Sequence, residues 1–319
     1  MADSASSVAK SKNILFFGAT GTIGRPILEQ VIKNKSLFGR LVIFTASGGD
    51  QAKQSLLQGW KTKGLEIIEG DISSEEQVLA AYEGIDTVIS ALGRTAIAAQ
   101  VPLIRLAESH PSIYRFIPSE FGTDIKFGPS SANEKPHQEK LKVRAFLEAT
   151  KKLDYTYIVT GPFADGYLSN NSRDPRVGTW DVKARTAVLL GTGKDKVALT
   201  TMRDVGKLTV AVLKHPEVSS RRALKVKSFV TTPDDILAEF QRQTQTEGKW
   251  NVSYSSLEKL KQLESEAWAS KVPPATFYTL RRIWTEGGTL YDQWDNDDIQ
   301  PEKLDTLEDA VKLAIEQQA

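Results

Sequence analysis

Three glycines at three-residue spacing, Gly18, Gly21 and Gly24, are the first residues in the chain whose pattern points to chemistry. They follow the apolar run Ile14-Leu15-Phe16-Phe17 and precede a segment with apolar residues at helical spacing, Ile27, Leu28, Val31 and Ile32. A strand, a glycine turn and a helix start in that order let the backbone approach a diphosphate closely. The first amides of the helix, at the positive end of its dipole, then face the phosphate oxygens. Gly18, Thr20, Gly21, Thr22, Ile23 and Gly24 are therefore the expected diphosphate-binding residues of a dinucleotide site.

The next strand, Arg40 to Thr45, tells which dinucleotide. An acidic residue at its end would hold a free ribose 2′-hydroxyl. Here the tip reads Thr45-Ala46-Ser47-Gly48, with Lys53 shortly after. Ser47 and Lys53 suit a 2′-phosphate, which favours NADP(H) over NAD. Asp50 lies close enough to argue the other way, and a lone lysine is more often a solvated one.

The elements that would position this site alternate from residue 13 to 160. Further strands are expected at Leu65–Asp71, Asp86–Gly93, Ile113–Ile117 and Tyr155–Val159, with helices near 73–82, 95–109 and 136–151. Buried apolar strands alternating with helices specify a doubly wound α/β domain with a parallel sheet. Its ligands gather at the carboxyl ends of the strands, which adds Asp71, Ile72, Ala91, Leu92, Gly93 and Pro162 to the cofactor side. Beyond residue 165 the texture changes to short strands (Thr186–Leu190, Val197–Thr201, Leu224–Phe229) and helices at 202–213, 234–244, 256–270, 276–285 and 302–317. Asp204 is the expected N-cap of the helix near 202. We read residues 1–12 as a disordered tail, 13–165 as a Rossmann-type NAD(P)-binding domain and 166–319 as mainly a smaller α+β substrate lobe. Residues 197–229 are expected to return to the first domain. Five of the six tryptophans lie beyond residue 179; they could line a pocket for a flat organic substrate or form an aromatic core.

Composition narrows the function. The 319 residues carry 41 basic and 40 acidic side chains, a net charge of +1, without the basic excess of an electrostatic nucleic-acid or membrane binder. There is no cysteine, so thiolate chemistry and Cys-ligated metals are excluded. The three histidines are widely spaced, and no metal site is expected. No apolar run approaches a bilayer span, and residues 1–11 lack the apolar core of a signal peptide. A cytoplasmic protein, monomeric or homodimeric, with a small-molecule substrate is the expectation.

GATGTIG (18–24), Pro118-Ser119-Glu120-Phe121-Gly122, and Lys140-Leu-Lys-Val-Arg144 ahead of YTYIVTGPF (155–163) resemble, in order and spacing, the isoflavone reductase-like group of atypical short-chain dehydrogenases, also called NmrA-like. The resemblance implies NADPH on the glycine loop, a catalytic lysine at Lys140 that contacts the nicotinamide ribose and the substrate region, an aromatic beside the nicotinamide at Phe163, and a second lobe covering the substrate. It also implies one of two classes: reductases of phenylpropanoids and related secondary metabolites, or NADP-sensing regulators. None of the eight tyrosines has a lysine four residues on, so the Tyr-x-x-x-Lys pair of typical short-chain dehydrogenases is missing. Read from the residues alone, Lys140 shares a helix side with Val143 and Leu147. That sets its ammonium at the edge of a buried stripe, where it either donates a proton or merely covers apolar surface. Ser119, Glu120, Phe121 and Tyr167 are the expected substrate contacts, Glu120 alternatively anchoring a helix or loop or orienting Lys140. The function expected is an NADPH-dependent reductase of an aromatic or conjugated molecule. A non-catalytic NADP(H) sensor and an isomerase or cyclisation helper with bound cofactor are the alternatives.

Overall fold

The computed structural model describes residues 10–170, 174–272 and 275–318. Seven parallel strands form the central sheet: β1 (Ile14–Phe17), β2 (Leu41–Thr45), β3 (Glu66–Glu69), β4 (Thr87–Ser90), β5 (Arg115–Ile117), β6 (Asp154–Val159) and, after β7 (Thr179–Asp181), β8 (Thr186–Leu190) and β9 (Val197–Leu199), the late strand β10 (Arg222–Lys225). Their order is β3-β2-β1-β4-β5-β6-β10, and every neighbour pair is parallel. The chain thus winds outward from β1 in one direction and, after β3, in the other. This leaves a crevice between β1 and β4, where the winding reverses.

Side chains alternate along each strand and so feed two helical layers. Ile14, Phe16, Leu41 and Ile43 pack with α1 (Gly24–Lys33), α2 (Gln51–Thr62) and, on the same side, residues 202–214. Leu15, Phe17, Val42 and Phe44 pack with α3 (Glu75–Tyr82), α4 (Gln100–Ser109) and α5 (Gln138–Glu148). This is why β1 reads as an unbroken apolar run: both its faces are covered. β3, at the sheet edge, keeps its two glutamates exposed.

The second lobe has its own core. After the short α6 (Ala164–Tyr167) the chain runs on through α7 (Met202–Lys214), the short α8 (Pro216–Ser219), β11 (Phe229–Thr231), α9 (Pro233–Thr244), β12 (Asn251–Ser255), α10 (Leu257–Ala269), α11 (Ala275–Thr285), the short α12 (Asn296–Ile299) and α13 (Leu307–Glu316), of which α7 and Ile299 of α12 pack with the first domain. β12 pairs in parallel with β8, which pairs antiparallel with β7; β9 and β11 form a two-stranded ribbon. Trp180 stacks on Phe240 at 5.5 Å, and Trp250 adjoins it at 5.8 Å.

Four expectations need correcting. The tail was expected through residue 12, yet Ser11 and Lys12 are pinned: the Lys12 and Asn13 amides donate to the Asp86 carboxylate, and Thr87 Oγ1 donates to Ser11 Oγ at 2.8 Å. Residues 1–9 lie outside the described residues. The returning segment was set at 197–229, but its two ends serve the second lobe. Val197 and Leu199 pack there, while α7 and β10 join the first domain. Ile299 and Leu304 also return to the first domain, a second crossing that short irregular sequence does not announce. Finally, the N-cap of α7 is Thr201, whose Oγ1 accepts from the Asp204 amide; Asp204 is fully buried, bonded to Lys207, Ser228 and the Asp305 amide.

Candidate active site

The glycine loop leaves no room for side chains. A Cβ on Gly24 would stand 2.1 Å from Gly18 O, and one on Gly18, whose φ is +77°, would stand 2.6 Å from Ala91 O. The turn after β1 is therefore pressed against the end of β4. The amides of Thr20, Thr22 and Ile23 donate to no carbonyl or side chain among the described residues. They are the free donors that a diphosphate needs.

At the end of β2, the Asp50 carboxylate caps α2 by accepting from the Lys53 amide at 2.8 Å. One oxygen of the Asp50 carboxylate is thus engaged by its own helix. The Lys53 ammonium folds back onto the carbonyls of Ala46 and Gly48, at 2.5 and 2.7 Å, beside the exposed Ser47. Asp71 and Ile72 follow β3; the Asp71 carboxylate accepts from the Ser73 amide at 2.9 Å, and hydrogen bonds from Ser73 hold its pKa below the usual range.

Two adjoining cavities open at the carboxyl ends of β4, β5 and β6. One, with about 770 Å³ of empty space, is walled by Ile23, Leu92, Gly93, Ser119 and Glu139. It begins at the glycine loop. The other, with about 570 Å³, is walled by Gly122, Thr123, Ile125, His137, Pro162, Leu280 and Trp284. Arg94, Phe121, Pro136, Lys140 and Phe163 line both. Ser119 is fixed at its wall: its amide donates to Gln100 Oε1 at 2.8 Å and its hydroxyl to Leu92 O at 2.9 Å.

Lys140 stands at the junction. α5 carries it on the side of buried Val143 and Leu147, as the helical spacing predicts. Its Nζ donates to the Glu120 carbonyl at 2.8 Å. One of three hydrogens is used there, and two remain for the cavities. Gly122 adjoins it: its Cβ position lies 3.7 Å from the ammonium, an ordinary van der Waals contact. Burial lowers the pKa of Lys140 to about 8, the Glu120 charge resists, and the charges of Arg94 and Arg144 add to the lowering. An amine poised near neutral pH can give up a proton on demand.

Arg144, one turn further on, is 2% exposed. It bonds Glu120 Oε2 at 2.8 Å, approaches Asp124 Oδ1 at 3.5 Å and lies 4.4 Å over the Tyr157 ring. The guanidinium thus grips both ends of the loop after β5, and that loop presents the carbonyl that holds Lys140. The sequence motif ends on Arg144, but nothing in it tells that this residue pairs with Glu120. The signal was its position four residues after Lys140, on the same side of the helix.

Two of the expected substrate contacts do not face the cavities. Glu120 is 1% exposed and spends its carboxylate on Arg144; only its backbone carbonyl reaches Lys140. Tyr167 packs in the second lobe behind Trp284, with the Arg281 guanidinium 4.6 Å from its ring. Of the tryptophans, Trp284 lines the substrate-side cavity, and its Nε1 donates to Thr123 Oγ1 at 2.9 Å, linking the lobes there. Trp180 and Trp250 are core, so both readings of the tryptophans hold, each for different residues. His137 was also missed as a wall residue. Among the described residues, no group of acids and histidines could hold a metal ion, and no helix is long and apolar enough to cross a membrane.

A model of the NmrA-like family matches residues 10–273. An isoflavone reductase of Pisum sativum is 28% identical over 248 residues, 74% of this chain and 77% of that one. An isoflavone reductase homologue of Nicotiana glauca is 31% identical over 233 residues, covering 72% and 71%. Among solved structures, a leucoanthocyanidin reductase–NADPH complex from Vitis vinifera superposes with a TM-score of 0.79 at 19% identity, over 95% of this chain and 99% of that one.

Proposed function

Because the chain belongs to the NmrA-like family, we propose that it is an NADPH-dependent reductase of a small aromatic or conjugated organic molecule. The observation that carries the reading is the placement of Lys140, whose side chain is common to a cavity starting at the glycine loop and a second cavity walled by aromatic rings. A sensor of cofactor state has no need of the second chamber. The relatives include an isoflavone reductase and a phenylcoumaran benzylic ether reductase, and a solved neighbour holds NADP+ together with pinoresinol.

NADPH, when bound, supplies a hydride from its nicotinamide ring. The residues of the chain supply the rest. Thr20, Thr22 and Ile23 offer amides to the diphosphate, and Ser47 with Lys53 accepts the 2′-phosphate. Phe121, Phe163 and Trp284 exclude water and hold a planar substrate. Lys140 meets the substrate atom on which negative charge develops, stabilises it, and gives it a proton. Glu120 O and Arg144 keep the amine aimed.

NADPH consumption tests this. Purified protein is offered isoflavones, phenylcoumarans and quinones. Loss of NADPH with a matching reduced product is expected from at least one of these classes. Product formed without net NADPH loss would instead indicate an isomerase with a bound cofactor.

A further inference from the structure

Two cations stand where the cavities meet. Lys140 is one. The other is Arg94, which follows Gly93 directly beyond the carboxyl end of β4 and opens the short helical turn Arg94–Ala99. In a doubly wound sheet this is the end where ligands gather. Arg94 is exposed and lines both cavities. Its Nη1 donates to the Pro136 carbonyl at 3.4 Å, and Pro136 is itself in the wall of both. That bond draws the guanidinium towards the wall. Its charge is felt at the Lys140 ammonium, whose pKa it helps to lower.

No acid answers these two charges. The lining of the 570 Å³ cavity contains Arg94 and Lys140 and no carboxylate. Among the described residues, Arg94 forms no ion pair, and the bond to Pro136 is its one hydrogen bond. The nearby acids are engaged elsewhere: Glu120 bonds Arg144 at 2.8 Å, and Glu139, in the wall of the other cavity, bonds Lys142 at 2.7 Å. Of the five guanidinium hydrogens, four remain for a ligand. Two like charges facing one space repel each other, and an anion between them turns that repulsion into attraction.

We propose that Arg94 sets substrate choice: it takes a carboxylate of the substrate on its guanidinium fork while the reacting atom of the same molecule meets Lys140. This rests on the reading of the 570 Å³ cavity as the substrate side. It narrows the substrate class from any planar molecule to an aromatic or conjugated acid. The planar fork of arginine matches the two oxygens of a carboxylate, which the point charge of a lysine does not. An ester of the same shape keeps the contacts with Phe121, Phe163 and Trp284 and loses the charge pair.

The test is calorimetric titration of the NADP+ complex with 4-coumarate and with its methyl ester. Wild type, Arg94→Gln and Arg94→Lys are compared. Wild type is expected to prefer the carboxylate by about 10- to 100-fold, the range for a hydrogen-bonded charge pair. Arg94→Gln lowers that preference about tenfold, and Arg94→Lys, which keeps the charge without the fork, retains part of it. The preference of wild type also shrinks as salt is raised. Ester affinity, NADP+ affinity and melting temperature stay near wild-type values in both variants, which separates the effect from misfolding. A preference unchanged in Arg94→Gln, or equal binding of acid and ester by wild type, overturns this inference and leaves the reductase reading intact. Loss of NADP+ affinity in Arg94→Gln assigns the guanidinium to the cofactor and overturns it too. Uptake of neither compound also overturns it, while NADPH consumption with a neutral substrate keeps the reductase reading.

Discussion

Lys140→Met lowers turnover by about 10²- to 10⁴-fold, the range for loss of a positioned proton donor, while NADPH affinity stays within about threefold. Methionine keeps the length and apolar volume of the stem, so the wall of both cavities is retained and only the ammonium is lost. The pH profile carries the same signature. The amine loses its proton at about pH 8. Below that value the protonated form supplies the proton, and above it the free base cannot, so wild-type turnover falls as pH rises through 8. The residual activity of Lys140→Met loses that alkaline limb. Steady-state kinetics across pH 6–10 with calorimetry of NADPH check both halves, and a variant that keeps wild-type kcat rejects the role.

Arg144→Met has the largest expected effect on stability. It leaves the Glu120 carboxylate buried without its ion-pair partner, and Asp124 with Lys225 at 3.8 Å as its remaining one. Removing one partner of a buried pair costs about 3–5 kcal/mol. In a chain of this size that lowers the melting temperature by roughly 5–10 °C. The double variant Glu120→Gln/Arg144→Met recovers much of the loss, because the stranded charge is gone. Scanning calorimetry of the two single variants and the double variant measures the coupling. Additive losses would mean that the pair is not a unit.

How much of this was legible beforehand follows from the range of the interactions. β1, the glycine turn and α1 are contiguous, and their pattern is set by a strand covered on both faces and a turn pressed on Ala91. Lys140 was placed correctly because Val143 and Leu147 define its side of α5 within two turns. Asp50 looked ambiguous in sequence; its role as the cap of α2 needed only three residues of context, which a reading focused on the ribose passed over. Glu120 and Tyr167 failed for a different reason. Each stands where ligands gather, but side-chain direction after a strand depends on what lies opposite, and Arg144 and Arg281 come from 24 and 114 residues away. The same distance hid the parallel pairing of β12 with β8.

Calorimetric titration of the wild-type protein with NADPH and with NADH tests the central claim most directly: a phosphorylated dinucleotide rests on the amides after β1, with its ribose end at Ser47 and Lys53. One NADPH per chain is the expected result, with NADH at least tenfold weaker for want of the 2′-phosphate. No heat from either nucleotide would contradict the account at its base.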